Sequence, residues 1–436
     1  MPRVLALALT VAIVWLVVAV GPPLTAAMRP GALALGFALI AAALAGALIE
    51  RIHLPRVSGY LLFGLVCGPY LGNIITRPMA RDLQIINALA VALIAFIAGL
   101  EINVTRLLPR VRDIARLGGA TIGILYVVLL AFFWTAWPWL GIAPGLHGTQ
   151  RFAVALLLTT IVASFSPTVT IAQIAECRAR GPLTELTLAI VVFADLLLIL
   201  AFTLVMELVR GAFGGAPDVG LVAGVSWEIL GSFAFGALAG ALFALYLHFI
   251  GREVPVVLLA LCALISGVGA RLHVEPLLAA LAAGLVVENV APPRGDVLKA
   301  AVERGALPVL VVFFAAAGAS LQLDALAAIG TLALIVSGLR LGLIRAGVWL
   351  GTRAARLRDG PADLVWMGFV SQAGVTLGLT LIVAVEYPQW GAPIQTLMVA
   401  LIALHQLIGP VLFKSALART GEIGAMDRVE TTISSA

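Results

Sequence analysis

Charge is scarce in this chain: of 436 residues only 11% are Asp, Glu, Lys or Arg, while 62% are hydrophobic. A water-soluble domain sits nearer roughly one quarter charged and about half apolar. A soluble globular fold is therefore excluded, and lipid is the expected solvent. Cysteine is nearly absent as well. Cys67, Cys177 and Cys262 lie far apart with no C-x-x-C pair, which excludes a disulfide framework and zinc-ligand spacing and leaves them as packing residues. Also missing are an H-E-x-x-H motif and a Ser/His pair at matching depth, so an intramembrane enzyme lacks its parts. The formal charge of +5 could suit a nucleic-acid partner. The basic residues, however, are scattered between apolar runs, where the loop charges of a membrane protein belong.

What is present is a succession of apolar runs. A helix needs about 20 apolar residues to cross the hydrocarbon. That ruler gives fourteen candidate spans: 4–20, 31–49, 57–75, 84–100, 114–140, 151–177, 182–208, 226–248, 253–270, 274–289, 302–320, 326–350, 361–385 and 391–414. The separation of 253–270 from 274–289 is the narrowest. Placing the N-terminus inside puts nineteen of the 27 basic residues on the cytoplasmic side and six outside, with Arg340 and Arg345 within a span. That contrast is what the positive-inside rule requires. The first run also fits a signal peptide, with Arg3 before it and Thr25-Ala26-Ala27 after it. Its length favours a retained helix.

The two halves echo each other faintly. Phe96-Ile97-Ala98-Gly99-Leu100-Glu101-Ile102-Asn103 resembles Ala315-Ala316-Ala317-Gly318-Ala319-Ser320-Leu321-Gln322, and Gly64-Leu65 matches Gly284-Leu285 at nearly the same offset. The pattern predicts an all-α polytopic membrane protein of 13–14 transmembrane helices with two inverted six-helix repeats. The expected parts are an extra N-terminal helix at 1–30, repeats at 31–208 and 253–414, a connector at 209–252 and a short cytoplasmic tail at 415–436.

Charged residues at bilayer depth are costly and mark function. Asp195 sits at the centre of span 182–208 among aliphatic and aromatic neighbours. Desolvation disfavours its carboxylate, so it is suited to hold a proton near neutral pH and to release it when a cation arrives. The competing reading is an Asp neutralised by an Arg or bonded to hydroxyls for packing. The preceding span carries Ser164-Phe165-Ser166-Pro167-Thr168. Pro167 removes a helical hydrogen bond, and a broken helix at membrane depth can offer carbonyls and hydroxyls to a cation. A simple proline kink is the alternative. Span 361–385 carries Ser371-Gln372-Ala373-Gly374-Val375-Thr376 in the corresponding place. Arg340 should face the bundle interior and meet a carboxylate or helix-end carbonyls, with a structural ion pair favoured over direct participation. Glu101, Glu185, Glu275 and Glu288 lie near span ends, where solvated or capping roles are the default. His405 reads as a satisfied core histidine rather than a proton relay.

At these residues the chain resembles the cation/proton exchanger family, in particular its monovalent cation:proton antiporter-2 branch. The likeness is carried by Leu54 to Pro69 (LPRVSGYLLFGLVCGP), Phe96 to Glu101 (FIAGLE), the stretch from Ser164 to Asp195, and Phe369 to Gly374 (FVSQAG). It covers about residues 31 to 414. The resemblance implies a core domain and a dimerisation domain, two crossed broken helices, a homodimer in the inner (cytoplasmic) membrane with the C-terminus inside, and no cofactor. It implies exchange of protons for a monovalent cation, Na+ or K+, with Asp195 as the carrier beside Thr168, Ser164 and Ser166, and with Arg340 compensating charge. Pro167, Gly374, Ser371 and Gln372 would shape the breaks. Ala194 stands where relatives commonly carry a polar Asp or Asn, and Val375 where many carry Glu. A single titratable group implies one-for-one, electroneutral exchange. The short tail is too small for a nucleotide-binding regulatory domain. The alternative is a proton-coupled transporter of a small anion or organic solute on the same fold, with Arg340 and half-helix N-termini holding the anion.

Overall fold

The structure is a computed structural model. It describes residues 7–8, 10–12 and 30–425, apart from 53, 84, 102–103, 109–110, 144, 215–218, 273, 291–307, 322 and 356–360. Most of the expected span 4–20 therefore lies outside the described residues; within it, 7–8 and 10–12 are helical. Among the described residues every regular element is helical. Seven helical stretches are long and apolar enough to cross a membrane, and six shorter apolar helices accompany them.

In chain order the helices are α1 (Pro30–Phe37), α2 (Ala43–Ile49), α3 (Arg56–Cys67), α4 (Arg77–Leu83), α5 (Ile85–Glu101) and α6 (Val104–Leu107). There follow α7 (Val111–Leu140), α8 (Gly148–Val162), α9 (Pro167–Cys177), α10 (Pro182–Ala212) and α11 (Val219–Phe249). The rest are α12 (Val254–Leu272), α13 (Pro276–Val290), α14 (Pro308–Ala319), α15 (Leu323–Ala354), a 3₁₀ helix at Pro361–Phe369, α16 (Gly374–Glu386) and α17 (Pro388–Arg419). A π turn, Ala38–Ala42, joins α1 to α2.

Proline starts these helices more often than it bends them. Pro167, Pro182, Pro276 and Pro388 each occupy the first helical position, where the missing N–H would have had no partner anyway. The close pair 253–270 and 274–289 resolves into α12 and α13, and Glu275 caps the second: its Oε1 accepts the Leu277 N–H at 3.2 Å. One expected span is shorter than predicted, for a local reason. The run 57–75 stops as a helix at Cys67, and the chain then folds back through Gly68-Pro69. The Gly72 N–H bonds to Val66 O at 2.8 Å and the Ile75 N–H to Cys67 O at 2.7 Å, which uses the carbonyls a helix end leaves open. The described part of run 302–320 is α14.

The chain divides into two compact units, each drawn from both halves of the sequence. One comprises 1–101, 171–177 and 231–321; the other 102–170, 178–230 and 322–436. In the first unit, helices cross with their backbones nearly touching. A Cβ on Gly64 of α3 would strike the Ala315 carbonyl of α14, and one on Gly318 of α14 would strike the Leu61 carbonyl of α3. Gly99 of α5 and Gly284 of α13 stand in the same relation to Leu281 and Phe96. These are the four glycines of the sequence echo, and they meet crosswise. Glycine permits this approach, which maximises dispersion contact where lipid supplies no hydrophobic drive.

In the second unit α15 runs along α7, and α17 along α15 and α16. The stretch of α8 and α9 is almost wholly buried, whereas α7 and α15 leave most of their apolar surface outside. Large apolar side chains such as Val127, Trp139, Leu230, Phe249 and Val385 stand exposed. Water would not tolerate that surface and a lipid bilayer does.

Candidate functional site

The second unit is interrupted twice. The apolar run of α8 ends at Val162, residues 163–166 are non-helical, and α9 starts at Pro167. The break is thus a helix end followed by a helix start, not a proline kink within a continuing helix. Ser166 stands at the cap position and its Oγ accepts the Val169 N–H at 3.4 Å, a long example of a serine N-cap. Likewise the 3₁₀ helix ends at Phe369, residues 370–373 are non-helical, and α16 starts at Gly374. The two breaks meet: the Ser166 N–H donates to Ser371 O at 3.0 Å, Ser164 Oγ and Thr376 Oγ1 are 2.6 Å apart, and Thr170 Oγ1 donates to Gly368 O at 3.0 Å. Phe165 and Phe369 stack with ring centroids 5.1 Å apart.

Each break leaves carbonyls at the end of its first half-helix, and these ends carry partial negative charge. Arg340, fully buried at 0% exposure, answers both. Its Nε donates to Val162 O at 2.9 Å and its Nη2 to Ser164 O at 2.6 Å. Its Nη1 donates to Val370 O at 2.7 Å, and Nη2 also reaches Phe369 O at 3.2 Å. The favoured ion pair is corrected accordingly: the four hydrogen bonds of this guanidinium go to backbone carbonyls. The planar, five-donor fork of arginine suits a task that a lysine ammonium could not cover.

Gln372, also at 0% exposure, works beside it. Its Nε2 lies 3.1 Å from Val162 O, 3.3 Å from Ser164 O and 3.1 Å from Ser164 Oγ. Its Oε1 lies 2.8 Å from His405 Nδ1, and His405 Nε2 lies 2.9 Å from Ser337 Oγ. His405 is thus bonded at both ring nitrogens, as a satisfied core histidine would be. Ser371 is buried against Gly409 of α17, where a Cβ would collide with its hydroxyl.

Asp195 lies near the middle of α10 and is 2% exposed. Its neighbour Ala194, with Leu197 and Leu198, lines a cavity of about 220 Å³ together with Ala163 and Phe165 of the first break and Ile122, Gly123 and Tyr126 of α7. The helix of the carboxylate and the first break therefore share one space. Ser164, Ser166 and Thr168 are all buried. The absence of a polar side chain at 194 makes that wall apolar.

Both ends of α10 are pinned within the same unit. At its start, Gly181 offers no side-chain cap; instead Glu422, beyond α17, accepts the N–H groups of Leu183 (2.8 Å) and Thr184 (2.9 Å) and the Thr184 hydroxyl (2.6 Å). At its end, Arg210 binds Glu386 of α16 through two nitrogens at 2.7 and 3.1 Å, and Glu207 at 3.1 Å. Sequence reading missed Glu422, Glu386 and Thr170. A helix start at Gly181-Pro182 without a local cap was the only hint of the first.

A family model described as "sodium/hydrogen exchanger, transmembrane" matches residues 38–417. Among solved structures, that of the sodium proton antiporter MjNhaP1 from Methanocaldococcus jannaschii at pH 8 superposes with a TM-score of 0.62 at 18% identity, over 88% of this chain and 97% of that one. The electron-microscopy map of MjNhaP1 from the same organism gives a TM-score of 0.65 at 18% identity, over 89% and 97%. At that identity the likeness establishes a common fold, and the family match establishes kinship. The chain belongs to the sodium/hydrogen exchanger family, multi-pass membrane proteins that carry out cation/proton antiport.

Proposed function

We propose that the chain exchanges one proton for one monovalent cation, Na+ or K+, electroneutrally and by alternating access, with Asp195 as the shared binding group. The observation that carries this reading is a carboxylate 2% exposed at mid-helix, on a helix that shares a cavity with the first break. Protonation or cation binding neutralises Asp195, and only the neutral core crosses the barrier, because a bare carboxylate in hydrocarbon resists transfer. Thr168, Ser164 and Ser166 complete the cation shell. The hydroxyls of Ser164 and Ser166 already make hydrogen bonds, but a hydroxyl oxygen has two lone pairs and retains room for a cation. Arg340 compensates the negative helix ends so that the breaks persist in an apolar setting. Because its hydrogen bonds go to carbonyls, it is poorly placed to hold an anionic substrate, which favours cation exchange over anion carriage.

On this reading the protein is a homodimer in the inner membrane with its C-terminus cytoplasmic. Residues 31–208 and 253–414 are inverted repeats joined by 209–252. The crosswise meeting of Gly64 with α14 and of Gly99 with α13 is the pattern such repeats produce. The test is dissipation of a pH gradient in proteoliposomes on addition of sodium, potassium or lithium, with wild type beside Asp195→Asn. A cation-evoked signal is expected in wild type and none in the variant. Flux at full rate in Asp195→Asn would remove Asp195 from the mechanism.

A further inference from the structure

The exchange mechanism leaves a buried polar chain unused: Ser337 of α15, His405 of α17 and the side-chain carbonyl of Gln372, with exposures of 5%, 0% and 0%. Its hydrogen positions follow from its end. The Gln372 amide nitrogen faces four acceptors at the first break, Ile161 O, Val162 O, Ser164 O and Ser164 Oγ. Turning the amide over would set its oxygen against three carbonyl oxygens, so the orientation is fixed. Oε1 then needs a donor, and the atom facing it is His405 Nδ1 at 2.8 Å. Nδ1 therefore carries the proton. In the neutral ring Nε2 is then an acceptor, and the Ser337 hydroxyl donates to it at 2.9 Å. One tautomer satisfies every member.

We propose that His405 is a positioning residue of the antiport site, holding the Gln372 amide so that it ties the first break together and places the Ser164 hydroxyl. The inference rests on the reading of the breaks as the cation site. An apolar side chain would fill the place of His405 without the cost of burying a polar ring. The polar chain ends, moreover, on the two carbonyls that Arg340 also binds, Val162 O and Ser164 O. Helix α15 thus reaches the first break twice, directly through Arg340 and indirectly through Ser337, one turn away. Without His405, Gln372 Oε1 is left buried without its donor and the amide loses one of its two anchors, so the Ser164 hydroxyl loses a firmly placed partner.

The test has two arms on the full-length chain. In the first, ¹⁵N-histidine protein in bilayers is studied by solid-state NMR, and the His405 signal is found by difference from His405→Asn. The expected state is Nδ1–H with a bare Nε2, converting towards Nε2–H in Gln372→Leu. A bare Nδ1 in wild type would overturn the proposal. The second arm is cation-evoked flux in proteoliposomes, read as apparent KM against maximal rate. His405→Leu should raise the KM about tenfold, the scale of one lost buried hydrogen bond. His405→Asn, whose amide can place an N–H where Nδ1 stands, should stay within about threefold, and Ser337 can then turn to its own helix backbone. Gln372→Leu should match His405→Leu, and the double variant should add nothing further, because both break one interaction. A lowered maximal rate or melting temperature with unchanged KM in His405→Leu would reduce His405 to a packing residue and leave antiport intact. Absence of cation-evoked flux in wild type would instead overturn the antiport reading and the proposal with it.

Discussion

Two kinds of helix crossing, one in each unit, solve the problem of close contact in opposite ways. Where α3 meets α14 and α5 meets α13, glycines bring backbone against backbone and no side chain intervenes. Where the broken helices meet, Arg340, Gln372, Ser164 and Thr376 fill the crossing with hydrogen bonds. The first arrangement is satisfied within each helix and offers nothing to an ion. The second exposes carbonyls and hydroxyls to one another, and in hydrocarbon those groups must be answered by protein. A transporter needs both: a region whose packing is inert and a region whose polar groups can be lent to a substrate.

The largest effect is expected from removing the residue that makes the polar crossing tenable. Arg340→Met keeps much of the side-chain volume but leaves Val370 O and Phe369 O without a donor, while Gln372 still serves Val162 O and Ser164 O. At about 1–3 kcal/mol for each unsatisfied buried group, the two carbonyls should cost the second unit on the order of 2–6 kcal/mol. Thermal melting in detergent should fall steeply and cation-evoked flux should vanish. Arg340→Lys should fall between, since one ammonium cannot span both breaks. Full flux and unchanged melting in Arg340→Met would mean that the two crossings do not differ in the way described.

The complementary change attacks the inert crossing. Gly99→Val would drive a branched side chain into the Leu281 carbonyl and the Leu285 amide of α13. Overpacking of this kind costs about 1–3 kcal/mol, so melting should drop while the apparent cation affinity of the surviving protein is unchanged. Gly267→Ala is the control. Its Cβ meets nothing within 4 Å in α12, and helix propensity alone should leave it neutral or raise stability by up to about 1 kcal/mol. If Gly99→Val altered ion affinity, the inert region would be part of the site.

Much of this contrast was legible before any coordinates, and the reason is locality. The apolar runs mark nearly every helix because the requirement for span length is written residue by residue. The breaks announce themselves through Ser164 to Thr168 and Ser371 to Thr376, where hydroxyls and a proline or glycine interrupt otherwise apolar runs. The glycine echo at 64, 99, 284 and 318 was visible because close approach demands a residue without a side chain. Partners were not legible. For Arg340 a carboxylate and helix-end carbonyls were both open, and it is the carbonyls that it reaches, 29 to 178 positions away along the chain, through main-chain oxygens that have no letter in the sequence. Hydropathy also overran true helix ends, as at Cys67, where Gly68-Pro69 turns the chain while the residues beyond remain apolar. It could not show that residues 361–369 form a 3₁₀ helix rather than an α-helix.

The smallest effect should come from Glu422, and it asks whether the polar economy of the second unit extends beyond its breaks. The first unit has a counterpart: Glu176 accepts the N–H groups of Arg56 and Val57 at the start of α3, at 2.5 and 2.8 Å. In both places a carboxylate distant in sequence caps a helix that begins without a capping side chain of its own. Glu422→Ala leaves the first N–H groups of α10 unanswered, and the loss of an N-cap costs about 1 kcal/mol. Melting should fall by a few degrees for a cost of that size. Glu422→Gln keeps an acceptor but loses the charge that favours a helix N-terminus, so it should cost less than Ala. Because Asp195 stands three turns further along α10, the apparent cation affinity should hold in both variants. A shift in affinity without a shift in melting would make the α10 N-terminus a lever on Asp195 rather than an anchor, and would place the polar function of the second unit along the whole helix and not only at its breaks.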